Sequence, residues 1–333
     1  MKKGLALAGK IALAIGIIVA GLALEIFGLI NLAQPILFSE YHSIKSNIQE
    51  NYSLNGPHTP QGISYIGSID HYITSCYTKR KDLPAGIFFT KNDYARLIEE
   101  DGSLHQSHVG GISVHEKTNS LFIANDKSIS RANLNELIDI IENANISTNR
   151  DLKITKVLEP GVTSSFVSVT GDTLCVGEFH NGKAYKTDSH YELSGEVSNA
   201  TLKTFDIVGE GSLTDLTFKD SYALPNEIQG AAIKGNYLYL SKSYGIAPSS
   251  IYTYDISSLD RVDGTIGVDT ANVQFLKMSN RSKTLTAPMM TEDLEIVGDM
   301  LVTMSESASN AYIIGKLYFA NKIVGLPLEK LNK

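Results

Sequence analysis

Ile228-Gln-Gly-Ala-Ala-Ile-Lys-Gly-Asn-Tyr-Leu-Tyr-Leu-Ser-Lys-Ser-Tyr244, followed by Ser250-Ile-Tyr-Thr-Tyr-Asp-Ile-Ser-Ser-Leu259, decides the fold. A short apolar run, a tight polar turn at Gly235-Asn236, an alternating run and a Gly/Pro/Ser loop before a third run read as three successive strands. Alternation of apolar and polar residues marks a half-buried strand, and Gly with Asn or Asp marks a tight hairpin. The same pattern recurs four more times along the chain.

Unit one runs Gln61-Gly-Ile-Ser-Tyr-Ile-Gly67, Asp70-His-Tyr-Ile-Thr-Ser-Cys-Tyr77 and Ala85-Gly-Ile-Phe-Phe-Thr90. Unit two runs Gly110-Gly-Ile-Ser-Val-His115, Asn119-Ser-Leu-Phe-Ile-Ala-Asn-Asp126 and Ser128-Ile-Ser-Arg-Ala-Asn-Leu134, then a short amphipathic insertion, Leu137-Ile-Asp-Ile-Ile-Glu142. Unit three runs Ser165-Phe-Val-Ser-Val-Thr-Gly171 and Asp172-Thr-Leu-Cys-Val-Gly-Glu-Phe179, with a long loop before Leu202-Lys-Thr-Phe-Asp-Ile207. The opening stretch is unit four. Unit five runs Glu292-Asp-Leu-Glu-Ile-Val-Gly298, Asp299-Met-Leu-Val-Thr-Met-Ser-Glu306 and Lys322-Ile-Val-Gly-Leu-Pro-Leu328.

Self-similarity at about 40–60 residues is how propellers show themselves in sequence. A β-sandwich would not explain five copies of one pattern. The expectation is an all-β, five-bladed β-propeller, or a six-bladed one if the stretch between Phe179 and Asn226 holds a degenerate unit. Ser212–Phe218 and Asn272–Lys277 read as fourth strands. Unit five lacks one, and the segment around Asn51-Tyr-Ser-Leu54 is expected to supply it, closing the ring so that no sheet edge stays open.

The units, with a Gly-rich start to the first strand and a trailing Tyr-Asp-Ile-Ser-Ser-Leu or Leu-Pro-Leu-Glu-Lys-Leu, resemble the extracytoplasmic propellers of the gluconolactonase, strictosidine-synthase and YncE-like superfamily. The resemblance covers about residues 57–331. It implies a fold and transfers no catalytic residue.

The chain has 333 residues, 43% of them hydrophobic, enough for a substantial core. A net charge of −7 and no basic stripe argue against a nucleic-acid partner. Two cysteines, Cys76 and Cys175, exclude a disulfide framework and are expected to be free and buried. The expected organisation is a basic tail at 1–10, a transmembrane signal anchor at 11–33, a connector at 34–56 and the propeller at 57–333. Lys2, Lys3 and Lys10 precede an apolar run long enough to cross roughly 30 Å of hydrocarbon. Glu25 opposes insertion by about 2.5–3.5 kcal/mol, but about a dozen Leu, Ile, Val and Phe residues at roughly −0.3 to −0.6 kcal/mol each outweigh it. The lysines would stay in the cytoplasm and the propeller would lie outside. A signal peptide cut after Ala33 is the rival reading, disfavoured by Asn31 and by the length of the run.

Other motifs carry no chemistry. Gly4-Leu-Ala-Leu-Ala-Gly9-Lys10-Ile11 lacks the Ser or Thr of a phosphate loop and sits at the membrane edge. His115-Glu116-Lys-Thr-Asn119 lacks the second His of a metalloprotease helix. No Gly-x-Ser-x-Gly elbow and no dinucleotide fingerprint occur.

Aligning the units places Gln61, Gly110, Ser165, Gln229 and Glu292 in one ring at the mouth of the central channel. Thr59, His108, Thr163, Glu227 and Met290 come just before it. The second strands end there with Cys76, Asn125, Glu178, Lys242 and Ser305, followed by Asp126, His180, Tyr244 and Glu306. The candidate ligand-binding set is therefore Gln61, His108, Ser165, Glu178, His180, Glu227, Gln229, Glu292 and Glu306. Two readings follow. In the favoured one the mouth recognises a protein, glycan or small molecule. In the other, Glu178, Glu227, Glu292 and Glu306 with His108 or His180 hold a divalent cation for ester or lactone hydrolysis, which needs three or four ligands about one point.

Overall fold

The computed structural model describes Glu25, Gly28, Leu29 and residues 32–210, 213–312, 314–318 and 320–332. The anchor expected at 11–33 thus lies almost wholly outside the described residues. Among the described residues no helix is long and apolar enough to cross a membrane.

The strand pattern read from the sequence forms, unit by unit, antiparallel meanders. After a leading strand β1 (Ser46–Glu50), the first comprises β2 (His58–Ile66), β3 (His71–Thr78), β4 (Gly86–Phe88) and β5 (Tyr94–Ile98). The second comprises β6 (Ile112–His115), β7 (Ser120–Asn125), β8 (Ser128–Asn133) and β9 (Asp151–Leu158). The amphipathic insertion is the helix Leu134–Glu142, whose first turn is capped by the Asn133 side chain accepting from Glu136 N; Leu134 and Leu137 are its buried side.

The third meander starts with β10 (Phe166–Thr170) and β11 (Thr173–Gly177). A hairpin of β12 (Ser189–Leu193) and β13 (Glu196–Ser198) interrupts it before β14 (Ala200–Glu210) and β15 (Leu213–Leu224). The fourth is β16 (Ile228–Lys234), β17 (Tyr237–Lys242) and β18 (Ser249–Asp255), then a hairpin of β19 (Arg261–Ile266) and β20 (Asp269–Phe275), then β21 (Arg281–Ala287). The last is β22 (Thr291–Val297), β23 (Met300–Ser305) and β24 (Lys322–Pro327), with β1 as its outer strand. The five leading strands adjoin in cyclic order, β2 beside β6, then β10, β16, β22 and β2 again. This is the arrangement of a β-propeller.

Two sequence expectations change. The strand expected at Asn272–Lys277 to end unit four is instead part of the β19–β20 hairpin. It adds to the outer edge of the third meander, where Tyr222 and Ala223 of β15 pair in parallel with Gln274 and Phe275. Alternation shows that a segment is a strand and is silent on which edge it joins. The stretch between Phe179 and Asn226 holds the β12–β13 hairpin, which pairs with β19 and lays no further strand against the ring.

Ring closure occurs as expected but a few residues early. Ser46–Glu50 pairs with β24, whereas Asn51–Leu54 forms a turn tied to unit five: Asn51 Nδ2 donates to the Ser305 carbonyl (3.0 Å) and Asn310 N to that of Leu54 (3.0 Å). Because Glu50 pairs with Lys322 and Ser46 with Gly325, the chain arrives on the face opposite the start of β22. The helix Ser39–Ile44 lies on that arrival side, with Tyr41 buried in the cluster around Leu285, Leu326 and Leu331. Deleting residues 1–50 leaves β24 as a bare edge, so the truncated protein is expected to melt lower and to self-associate relative to one starting at Ser39, as read by calorimetry and light scattering.

The axis of the ring is filled. Gly62, Gly111 and Gly230 sit at the same register on three leading strands. A Cβ on Gly111 would lie 2.6 Å from Val167 N, one on Gly62 2.7 Å from Ile112 N, and one on Gly230 2.7 Å from Asp293 Cα. The strand backbones therefore touch. Unit five carries Asp293 at that register and Glu295 two residues on. Asp293 accepts from Ile63 N (3.4 Å), from Ile112 N and from its neighbour Leu294 N. Glu295 accepts from Ser64 Oγ (3.1 Å) and Ser113 Oγ (3.0 Å). Those hydroxyls accept in turn from Val114 N and Val169 N, and Ser168 Oγ donates to the Ala231 carbonyl. Hydrogen bonds from these side chains thus reach all five leading strands. Small residues on the other strands leave the room that the two acids occupy, and the donors supply the partners that buried carboxyls require.

Candidate functional site

Beyond this network is the end of the ring at which the leading strands begin, termed the cup below, and the backbone there departs from regular pairing. The ladder shifts between Pro60 and Ile63, between Ile228 and Gly230, and between Thr291 and Leu294. Such bulges re-aim the side chains they contain, here Gln61, Gln229 and Glu292.

Three of the predicted residues meet. Gln61 Nε2 donates to Glu306 Oε2 at 2.6 Å, and Glu292 is within hydrogen-bonding reach of Glu306. Both acids are nearly inaccessible, at 2% and 6% exposure, and Glu292 Oε1 receives no donor from the described residues. Burial pushes Glu306 up to about 7, against bonds from Tyr312 and Gln61 that favour its charge. Burial raises Glu292 well above the usual carboxyl range, and the charges of Glu306 and Asp293 add to it. Two carboxyls side by side cannot both ionise cheaply, so the pair shares a proton.

Aromatic side chains wall this pair. Tyr77 bonds to Thr59 and Tyr312, and its ring lies 4.3 Å from that of His108. His108 is exposed through the cup, although protein crowded about the ring lowers its pKa. Tyr77 takes the place expected of Cys76, which is buried behind it with Tyr52 and Phe88. Unit one has an eight-residue second strand opposite a bulge, which shifts the outward position by one residue.

The remaining candidates divide. Glu178, 2% exposed, is satisfied by Thr163 N (3.2 Å), Ser189 Oγ (2.5 Å) and Thr201 N (3.0 Å). Burial raises its pKa and those bonds oppose the rise. This carboxyl anchors the β12 hairpin. It also lies in the wall of a polar cleft of about 660 Å³, between the β7–β8 turn, the Gly161–Thr163 loop and the tip of the β19–β20 hairpin. His180 Nδ1 accepts from Thr187 N (3.2 Å), and its pKa is lowered by burial and by Lys186. Ser165 Oγ accepts from Phe179 N, and Glu227 pairs with Lys242 at 3.0 Å. Gln229 is half-buried at the bulge of β16.

Sequence reasoning did not find Tyr312, which arrives on the loop between β23 and β24, or the axial roles of Asp293 and Glu295. The shared register of Gly62, Gly111 and Gly230 was the available signal for the second. Among the described residues no three His, Cys, Asp or Glu side chains converge as a metal site. Cys76 and Cys175 are free and buried.

No protein family and no curated protein matches the sequence. Among solved structures, the chain is similar to a putative oxidoreductase (glucose dehydrogenase) from Thermus thermophilus, with 9% identity and a TM-score of 0.38 over 85% of this chain and 99% of that one. The Dos1 propeller shares 8% identity, with a TM-score of 0.31 over 79% and 68%. BamB from Moraxella catarrhalis shares 8%, with a TM-score of 0.28 over 85% and 97%.

Proposed function

We propose that this chain is a five-bladed propeller, held outside the membrane by the span at 11–33, that binds a ligand or partner in the cup on its far face. One observation carries the reading: an exposed His108, packed on the half-buried ring of Tyr77, stands beside a buried acid pair with a donor-free oxygen. Concave sites that combine aromatic rings with a few directed polar groups are the usual form of a binding pocket. The five leading strands in cyclic contact support the blade number. Leu29 and Leu32, within the last part of that span, and Ile36 and Leu37, in the segment just after it, are exposed, as lipid-facing side chains would be. That segment reaches the ring on the side away from the cup, so the cup would face outward from the membrane.

The hydrolase reading lacks its three-ligand cluster among the described residues. Calcium or zinc at millimolar concentration is expected to leave the melting temperature unchanged, whereas occupancy at 100 times the dissociation constant would add about 2.7 kcal/mol. The binding reading is tested by thermal-shift screening of the full chain in detergent against sugars, amino acids, amines and dicarboxylates. A compound that raises the melting temperature of the native chain, and does so far less in His108→Ala, supports the cup. Hits that act equally on both proteins, or a panel without hits, contradict it.

A further inference from the structure

The cup's rim differs in character around the ring. Where the third and fourth meanders meet, Phe179 follows the end of β11 and Tyr244 the end of β17, so both stand on the cup face. The Phe179 ring lies 5.5 Å from Tyr185, edge to face, and 6.0 Å from Tyr244, tilted. Tyr185, Tyr244 and Ile246 are 58%, 42% and 60% exposed, three large side chains left open to solvent among the described residues. The loop that presents Tyr185 has a fixed shape: Asn181 Oδ1 accepts from Lys183 N (2.9 Å) and Tyr185 N (3.0 Å), and Asn181 N donates to the Tyr185 carbonyl (3.0 Å). Asn181 thereby holds the aromatic ring and its flanking residues in place before any partner arrives.

Those flanking residues are Lys183 and Lys186. Both are exposed, and among the described residues neither makes an ion pair. Lys186 is close enough to His180 to lower its pKa. Lys242 nearby is already neutralised by Glu227 at 3.0 Å. Two unpaired cations beside an exposed aromatic patch stand out on a chain of net charge −7. Exposed aromatic side chains are enriched at recognition surfaces, and unpaired charges at the rim of such a patch set the sign of the partner it attracts.

We propose that Phe179, Tyr185, Tyr244 and Ile246, with Lys183 and Lys186, dock an acidic peptide segment of a partner protein. The two ammonium groups take carboxylates of the segment. The angle between the Phe179 and Tyr244 rings takes an apolar or aromatic side chain between those carboxylates. Apolar area supplies part of the affinity, which separates this surface from one that binds any polyanion, and the charges supply orientation and rate. The proposal rests on the reading that the cup face is the binding face, and names the partner that its rim would take.

The test uses the full chain in detergent micelles and a fluorescein-labelled random copolymer of glutamate and tyrosine, read by fluorescence polarisation. Binding is expected, weakened about tenfold in Lys183→Glu/Lys186→Glu and about tenfold in Tyr185→Ala/Tyr244→Ala, and reduced as salt rises. Circular dichroism melts confirm that the variants fold. If the copolymer does not bind, or the charge variant binds it normally, the proposal falls. If polyglutamate without tyrosine, or dextran sulfate, binds as tightly and the tyrosine variant is unaffected, the surface is a polyanion site and the peptide assignment is overturned. His108→Ala separates the two readings. Small-molecule hits lost in His108→Ala while the rim variants bind the copolymer like the native chain would sink the rim proposal and leave the cup standing.

Discussion

Glu295→Gln is expected to make the protein more stable above pH 8 and to flatten the pH dependence of its unfolding. Burial against the other leading strands pushes Glu295 from its ordinary 4.5 up to about 8, even though Ser64, Ser113 and Tyr65 N favour the charged form. The folded chain therefore keeps this proton up to about pH 8, while the unfolded chain releases it near 4.5. Across that window the native state binds more protons, so stability is fully present below about 4.5 and is lost as pH rises through 8. At 1.36 kcal/mol per decade, the loss is on the order of a few kcal/mol. Glu306, pushed up to about 7 mainly by burial, acts with the same sign. Glutamine keeps an acceptor for one serine and can donate to the other, and it has no proton to lose. Urea unfolding at pH 5, 7 and 9 reads the effect. A native protein that grows more stable toward pH 9, or a variant that tracks it, would show that the axis is not the dry, proton-holding network described above.

Gly111→Ala is expected to cost several kcal/mol, a large part of the whole stability of a domain. The added Cβ would fall 2.6 Å from Val167 N and 3.0 Å from Phe166 Cα. Both are backbone atoms of the next leading strand and neither can swing aside, so the ring itself must spread. Gly171→Ala is the matched control. It sits in a hairpin turn at φ 57 with nothing within 4 Å of the new atom, and it loses only the left-handed conformational preference, about 1 kcal/mol. A drop in the urea midpoint several times larger for Gly111→Ala is the expected result. Equal effects would mean that the leading strands are not in direct backbone contact at the axis.

These two glycines also show what the sequence makes legible. Turn glycines such as Gly171, Gly235 and Gly298 are recognisable because a tight turn needs φ above zero, and the units around them define the meanders. Gly62, Gly111 and Gly230 were equally visible as a repeating start, but their reason is contact between strands distant in sequence, which spacing alone does not express. The bulges at Gln61, Gln229 and Glu292 break the two-residue period on which the alignment of the units depends. Alignment therefore names Gln61, Glu292 and Glu306, which the fold brings into contact, and names Cys76 at the position where Tyr77 stands. Glu178 and Glu227 are aligned as well as Glu306, yet each is satisfied within its own part of the ring. Hydrogen-bond partners are a property of the folded chain and have no signature in register. Tyr312 lies in a loop that carries no repeat pattern.

The most direct test of the account is hydrogen exchange on the full chain, with and without a ligand that passes the thermal-shift screen. Protection is predicted at Thr59–Gln61, Tyr77–Lys79, His108 and Glu306–Tyr312, the segments that build the cup, with no change at the Asp299 turn on the opposite face. Protection confined to that opposite face, or spread evenly over the ring, would contradict the assignment of the cup as the binding site.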